Sequence, residues 1–133
     1  MKYIISNKDE KYLDFTTIKS TELDSIKNTA TEIYVSPGTL ESCESVETFI
    51  RDLKAACQKD CSVVFNFINI YQVFVDAAFH KMDIGIAHLV CRTIKNPFNA
   101  EAAHNFLKSS GFKIITVSTS EEGKFIVVEC DNA

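Results

Sequence analysis

Glycine and proline are scarce in this chain, whose 133 residues include 4 glycines and 2 prolines. With 46% hydrophobic and 24% charged residues, the composition is typical of a folded protein and excludes a disordered one. No internal repeat, linker or low-complexity segment interrupts it. The length therefore predicts a single domain, residues 1–133, that is large enough to bury a core.

Long hydrophobic runs and basic clusters are also missing. No stretch approaches the roughly 20 apolar residues that span a bilayer, so no membrane contact is predicted. The net charge is −4, and the neighbouring lysines Lys8 and Lys11 are separated by two acidic residues. This balance argues against nucleic acid as a partner. The apolar run near the N-terminus is too short for the core of a secretion signal, and we expect a cytoplasmic protein.

The five cysteines are odd in number and irregularly spaced. This pattern favours reduced thiols over a disulfide framework. Cys57 and Cys61 have C-x3-C spacing, but a metal site would need two more ligands, and no second pair supplies them. No metal site is predicted, and the pair is interpreted as buried structural thiols.

Apolar runs and alternation predict six strands. The run at 61–68 is apolar almost throughout, which is typical of a strand that is covered on both faces. The run at 13–19 alternates, which fits a more peripheral strand, and the last two runs are predicted to form a hairpin. The predicted strands are residues 2–6, 13–19, 31–36, 61–68, 112–119 and 124–130.

Helical spacing predicts helices at 45–59, 70–80 and 99–110, with a shorter one at 20–28. Asn99 is predicted to cap the helix at 99–110, and Gly111 to end it in the left-handed conformation. Residues 83–95 fit a helix, a strand or irregular cover, and this choice stays open. Three acidic residues are interpreted as stabilising the start of the helix at 45–59: Glu41, Glu44 and Glu47.

The stretch TEIYVSPGTLES, residues 31–42, is the best landmark for a binding site. A strand stops at Ser36-Pro37-Gly38 and a helix follows, which is the unit from which parallel sheets are built. Ligands in such sheets collect beyond the carboxyl ends of the strands, so a site is predicted near Pro37. Tyr71 follows another strand end and is a second pocket candidate by position.

Several segments match the patterns of one enzyme family. Residues 32–36 followed by Leu40-Glu41 are similar to a strand that enters an hxLEH-type turn. Residues 92–117 are similar to a late helix that ends in aGF before a hairpin, and Lys11-Tyr12-Leu13 matches a KYL pattern after the first strand. Together they resemble class I S-adenosylmethionine-dependent methyltransferases.

The resemblance implies an α/β, three-layer Rossmann-like fold. Its six-stranded sheet would be mostly parallel, with helices on both faces and a C-terminal antiparallel hairpin. The implied strand order is 2-1-3-4-6-5.

Determinants that this family uses to hold its cofactor are absent here. The loop after the first strand begins Ser6-Asn7 and contains no glycine, although the family needs glycines there so that the backbone can approach the cofactor. The second strand ends in Lys19, which cannot accept hydrogen bonds from ribose hydroxyls. The region that would contact adenine is shortened to residues 20–30, and Ser42 replaces the histidine of the turn.

These departures predict a methyltransferase-like protein that has lost S-adenosylmethionine binding. It would need no cofactor and would act as a non-catalytic interaction or regulatory module, as a homodimer or with a protein partner. The alternative is a minimal S-adenosylmethionine-dependent methyltransferase with an atypical cofactor site, and a third hypothesis is an anion held by Lys19. No motif identifies a catalytic residue. The candidate residues of the residual cleft are Ser6, Asn7, Lys19, Ser36, Pro37, Gly38 and Tyr71.

Overall fold

The computed structural model describes residues 1–9, 11–79 and 81–132. Within these residues, the strands are β1 (Lys2–Ile5), β2 (Thr16–Ile18), β3 (Ala30–Val35), β4 (Cys57–Ile68), β5 (Phe112–Thr119) and β6 (Phe125–Asn132). The helices are α1 (Val46–Ala56), α2 (Ile70–Ala78), α3 (Ile84–Thr93) and α4 (Ala100–Ser109). Short 3₁₀ helices occupy Ser20–Ser25 and Glu121–Gly123.

The strands form one mixed sheet in the order β2-β1-β3-β4-β6-β5. The pairs β1–β2, β1–β3 and β3–β4 are parallel, whereas β6 runs antiparallel to both β4 and β5. The predicted strand order and the C-terminal hairpin are therefore confirmed. The carboxyl ends of β1, β2, β3 and β4 meet at one edge of the sheet, because neighbouring parallel strands end on the same side.

The core lies on one face of this sheet. The cross-strand row Ile5, Val35 and Phe65 is fully buried, and α1 and α4 pack over this face through residues such as Leu53 and Leu107. The opposite face carries the row Ile4, Tyr34 and Val64. There, Tyr12, Leu13 and Phe15 join Ile4 and Tyr34 around an apolar hollow of about 420 Å³. Because α1 and α4 share one face, the three-layer arrangement stays a prediction.

The largest boundary difference falls between α1 and β4. The helix predicted to reach Lys59 ends at Ala56, and the strand predicted to begin at Cys61 already begins at Cys57. Cys57 has extended backbone angles because it pairs with Ala30 of β3, a contact that helical periodicity cannot reveal. The strand β2 is also shorter than predicted, since only Thr16–Ile18 pairs with β1.

Local signals place the other helices. Asn99 caps α4 by accepting a hydrogen bond from the Ala102 backbone N–H at 2.8 Å, and Gly111 follows with a φ of +93°, both as predicted. The undecided stretch 83–95 contains α3, whose cap is Asp83. The predicted end of α2 at residue 80 lies outside the described residues. Of the helices that are described, none has the length and apolar character needed to cross a bilayer.

Candidate functional site

The turn after β3 is tightly tied to its neighbours. The Ser36 N–H donates to the Ile5 carbonyl at 3.0 Å, which continues the parallel ladder beyond the end of β3. The Thr39 hydroxyl donates to the same carbonyl at 3.4 Å. Gly38 adopts a φ of +85°, a conformation in which an L side chain is strained. The backbone here is therefore fixed by the sheet and by a glycine that suits the turn.

Glu41 lies at the centre of this turn and is only 1% exposed. Its Oε2 accepts hydrogen bonds from the Ile68 N–H at 2.6 Å and from the Gly38 N–H at 3.3 Å. Its buried Oε1 has no hydrogen-bond partner among the described residues. Burial raises the pKa of Glu41, and the backbone hydrogen bonds only partly oppose this effect. The side chain joins the turn after β3 to the end of β4.

The interpretation of the three acidic residues as helix-start stabilisers is only partly right. Glu47 does lie in the first turn of α1, which Ser45 caps through the Thr48 N–H at 3.2 Å. Glu44 instead pairs with Lys95 at 2.5 Å, and this ion pair lowers the pKa of Glu44. Glu41 is buried away from the helix terminus. Its role depends on a contact with Ile68, which is distant in sequence.

A segment that follows α3 closes the outer side of the turn. The backbone N–H groups of Lys95 and Asn96 both donate to the Glu41 carbonyl, at 3.0 and 2.9 Å. The Asn96 amide also donates to the carbonyls of Leu40, Glu41 and Cys43 at 2.9–3.3 Å. One side chain thus joins three carbonyls of the turn to the segment after α3.

The loop after β1 is built differently. Ser6 is buried, and its Oγ accepts a hydrogen bond from the Lys8 N–H at 3.1 Å. The Asn7 Oδ1 accepts from the Ser20 backbone N–H at 3.3 Å and from the Ser20 hydroxyl at 3.0 Å. Asn7 therefore links the loop after β1 to the 3₁₀ helix that follows β2.

Between these two loops lies a cavity of about 390 Å³. Its wall combines hydroxyls, one amide, one lysine and the buried acid Glu41. The lining residues are Ser6, Asn7, Lys8, Pro37, Gly38, Thr39, Glu41, Ser42, Ile68 and Ile94. A second cavity of about 690 Å³ shares Asn7 and Ser42 with the first and extends past Lys19 to the start of α1. A third, of about 680 Å³, shares Ser6 and Lys8 and reaches Lys19 and Glu22.

The structure brings together most of the predicted site residues. Ser6, Asn7, Pro37 and Gly38 line the first cavity, and the buried Ser36 directly precedes Pro37. Lys19 lines the second cavity together with Asn7 and the third cavity together with Ser6. Tyr71 is set apart, because its side chain on α2 is 69% exposed and lines none of the three.

The predicted site residues did not include six residues of the wall, which are Lys8, Thr39, Glu41, Ser42, Ile68 and Ile94. The position of Glu41 next to Leu40 was noted, but nothing local marks it as buried. Chemically, the described wall offers hydrogen-bonding groups, one lysine and one acid. Within the described residues, no group of three or more His, Cys, Asp or Glu side chains could hold a metal ion.

Comparison with solved structures identifies the fold. A methyltransferase of Thermotoga maritima that depends on S-adenosylmethionine superposes with a TM-score of 0.61 at 11% identity over 90% of this chain. A chain from a Haloferax volcanii complex between a methyltransferase activator and its methyltransferase partner gives 0.62 at 3% identity over 92%. Magnesium protoporphyrin IX methyltransferase from Synechocystis, solved with S-adenosylhomocysteine, gives 0.54 at 10% over 90%.

The chain spans 63%, 63% and 52% of the lengths of these three proteins. A scan against models of protein families found no match, and a search of curated proteins found no significant relative. At such low identity the likeness concerns the backbone arrangement. The chain has the fold of S-adenosylmethionine-dependent methyltransferases.

Proposed function

We propose that this chain is a methyltransferase-fold protein that has lost S-adenosylmethionine binding and acts as a non-catalytic interaction module. The observation that carries the proposal is the loop after β1. It contains no glycine, and its Asn7 is hydrogen-bonded to Ser20 across the end of β2. A cofactor that approaches the backbone closely needs glycine in such a loop. The cytoplasmic location is proposed from the sequence alone.

The end of β2 supports the same conclusion. The residue that follows β2 is Lys19, whose ammonium group donates hydrogen bonds and accepts none. It therefore cannot take the place of the acidic side chain that the family uses for the ribose hydroxyls. Whether Lys19 favours an anion instead stays a prediction.

An exposed apolar surface on α2 and α3 supports an interaction role. Phe74 is 60% exposed and Leu89 is 59% exposed, although both are large hydrophobic residues. Large apolar side chains exposed on neighbouring helices are typical of interaction surfaces. The other exposed members are Tyr71, Phe79, Ile84 and Ile86. One structural neighbour was solved in complex with an activator protein, which is in keeping with a protein partner.

Titration calorimetry with S-adenosylmethionine and S-adenosylhomocysteine tests the proposal. We expect no heat of binding at millimolar ligand, with an active methyltransferase of the same fold as positive control. Micromolar affinity for either compound would overturn the loss of cofactor binding. Sedimentation across a range of protein concentrations then distinguishes a homodimer from a monomer that needs another protein. Phe74→Ser, which removes an exposed apolar side chain from α2, is compared with the control Leu13→Ser, which removes one from the loop after β1.

The alternative is a minimal S-adenosylmethionine-dependent methyltransferase, and one observation favours it. Glu22 lines the cavity beyond β2, and Asp24 lines the neighbouring one, so acceptors for ribose hydroxyls lie near Lys19. One structural neighbour holds S-adenosylhomocysteine. Under this alternative the wild type binds the cofactor, Glu22→Ala weakens binding at least tenfold, and the exposed substitution Glu47→Ala does not.

A further inference from the structure

The start of β4 brings two cysteines close together. Cys57 pairs with Ala30 of β3, and Ser62 pairs with Glu32. Cys57 and Ser62 are five residues apart in β4, whereas their partners are only two residues apart in β3, so β4 bulges between them. Cys61 directly precedes Ser62. Because a strand rises about 3.3 Å per residue, the Cα atoms of Cys57 and Cys61 lie roughly 3–7 Å apart, which overlaps the range that disulfides adopt.

The residues between the two cysteines bulge outward. Gln58, Lys59 and Asp60 are exposed, and Asp60 has a φ of +64°, which turns the chain back towards β3. Cys57 and Cys61 themselves stay in the core, 6% and 1% exposed. The bulge thus has a buried thiol at each end and three exposed residues between them.

The two thiols also differ in acidity. They share a hydrogen bond, which lowers the pKa of Cys61 and, together with burial, raises the pKa of Cys57. The lowered pKa makes Cys61 the thiol of the pair that ionises first. Cys130, on the same face of the sheet, donates to the Val63 carbonyl at 3.4 Å, and burial raises its pKa to about 12.

We propose that Cys57 and Cys61 form an oxidisable dithiol that reacts with small-molecule disulfides of the glutathione class to give an intrachain disulfide. The Cys61 thiolate attacks one sulfur of glutathione disulfide and releases one glutathione thiolate, which takes up the proton that Cys61 lost. Cys57 then attacks the Cys61 sulfur of the mixed disulfide, and its proton goes to the second leaving glutathione. Two protein thiols are oxidised, and one glutathione disulfide is reduced to two thiols.

Access to the pair depends on the bulge. Because both sulfurs are buried, the first attack requires the exposed bulge at 58–60 to open locally. Oxidation should therefore be slower than that of an exposed thiol, and low concentrations of urea that leave the sheet folded should accelerate it severalfold. The half-buried Cys91 provides an internal reference.

The test uses the full chain, incubated with increasing ratios of glutathione disulfide to glutathione and then digested with trypsin without reduction. Trypsin cleaves after Lys54, Lys59 and Lys81, so the disulfide would join the peptides 55–59 and 60–81. We expect this linked pair, with a mass lower by two hydrogen atoms than the sum of the two peptides. A chain that keeps five alkylatable thiols at every ratio would overturn the proposal, and so would a Cys61–Cys130 link as the main product.

Two variants test the order of the steps. Cys57→Ser should keep one glutathione on Cys61, because the resolving thiol is gone. Cys61→Ser should gain glutathione at Cys57 at least tenfold more slowly than Cys57→Ser gains it at Cys61. Cys91→Ser should behave as wild type. Equal labelling of Cys57 and Cys61 in the two variants would contradict the assigned roles. The peptide map of the wild type decides the disulfide itself even if a variant fails to fold.

Discussion

The loops after β1 and β3 leave the same edge of the sheet side by side, yet they are built in opposite ways. The turn after β3 is buried, uses a glycine at positive φ, and is fixed by Glu41 and Asn96. The loop after β1 has no glycine and is largely exposed, with Leu13 89% exposed. The turn after β3 is part of the buried core, whereas most of the loop after β1 is exposed to solvent.

This difference indicates where the fold tolerates change. In a sheet of this type the loop after the first strand normally approaches a ligand, so the conformation of its backbone is the most constrained. Here the most constrained backbone is that of the turn after β3, because Glu41 links that turn to β4 and Asn96 links it to the segment after α3. The cavity between the loops thus has one rigid wall and one polar, exposed wall.

The largest expected effect comes from removing the anchor of the rigid wall. Glu41→Ala leaves the N–H groups of Ile68 and Gly38 without an acceptor, which we expect to cost about 2–5 kcal/mol of unfolding free energy. Urea denaturation followed by circular dichroism measures the loss. Glu44→Ala is the control, since that exposed side chain should leave the midpoint almost unchanged. Equal losses of unfolding free energy for Glu41→Ala and Glu44→Ala would contradict the proposed contrast between the two loops.

Asn96 supports the same turn and should come next. Asn96→Ala removes hydrogen bonds to three carbonyls, and we expect a loss of about 1–3 kcal/mol. Asn105→Ala is the matched substitution, because Asn105 is exposed on α4. Its effect should stay within about 0.5 kcal/mol. If the Asn96 variant unfolds at the same urea concentration as wild type, the segment after α3 does not hold the turn.

The pH dependence of stability tests the burial of Glu41. Its folded-state pKa is raised above 4.5, so the folded chain binds more protons than the unfolded chain as pH rises from 4.5. Stability that is present below pH 4.5 is therefore lost as pH rises through the folded-state pKa. Glu41→Gln cannot ionise and should lack this loss, so the difference in unfolding free energy between wild type and variant should change across that window.

Other groups do not obscure this comparison. The pKa of Glu44 is lowered by Lys95, so its contribution is lost only as pH falls below 4.5. Burial and the charge of Glu41 raise the pKa of Cys43 to about 11, so this thiol ionises above the window. A constant difference between wild type and Glu41→Gln from pH 4.5 to 8 would contradict the raised pKa.

Periodicity predicted what depends on local sequence. The strand order followed from the resemblance, and the span of β5 and the cap at Asn99 from local patterns. The apolar stripe of α1 continues into Cys57, so the pattern could not show that Cys57 pairs with Ala30. The bulge after Cys57 is likewise a product of that long-range pairing.

The candidate site was predictable only as a place. Strand ends identified Ser6 and Ser36, because topology alone brings such positions to one edge. Glu41 could not be assigned, since its role depends on the N–H of Ile68, 27 residues away in sequence. The position of the Tyr71 side chain could not be assigned from the sequence either, and Tyr71 does not line the cavity. It follows a strand end, but the first turn of α2 directs its side chain into solvent.

The smallest expected effect concerns the exposed wall. Asn7→Ala removes two hydrogen bonds to Ser20, and because these hydrogen bonds are exposed we expect a loss below about 0.5 kcal/mol. A double-mutant cycle with Ser20→Ala isolates the side-chain part of this contact. A coupling energy above about 1 kcal/mol would place the loop after β1 in the same class as the turn after β3. A small coupling would mean that this loop covers the cavity loosely, so that its polar side chains can be exchanged while the anchored turn keeps the sheet edge in place.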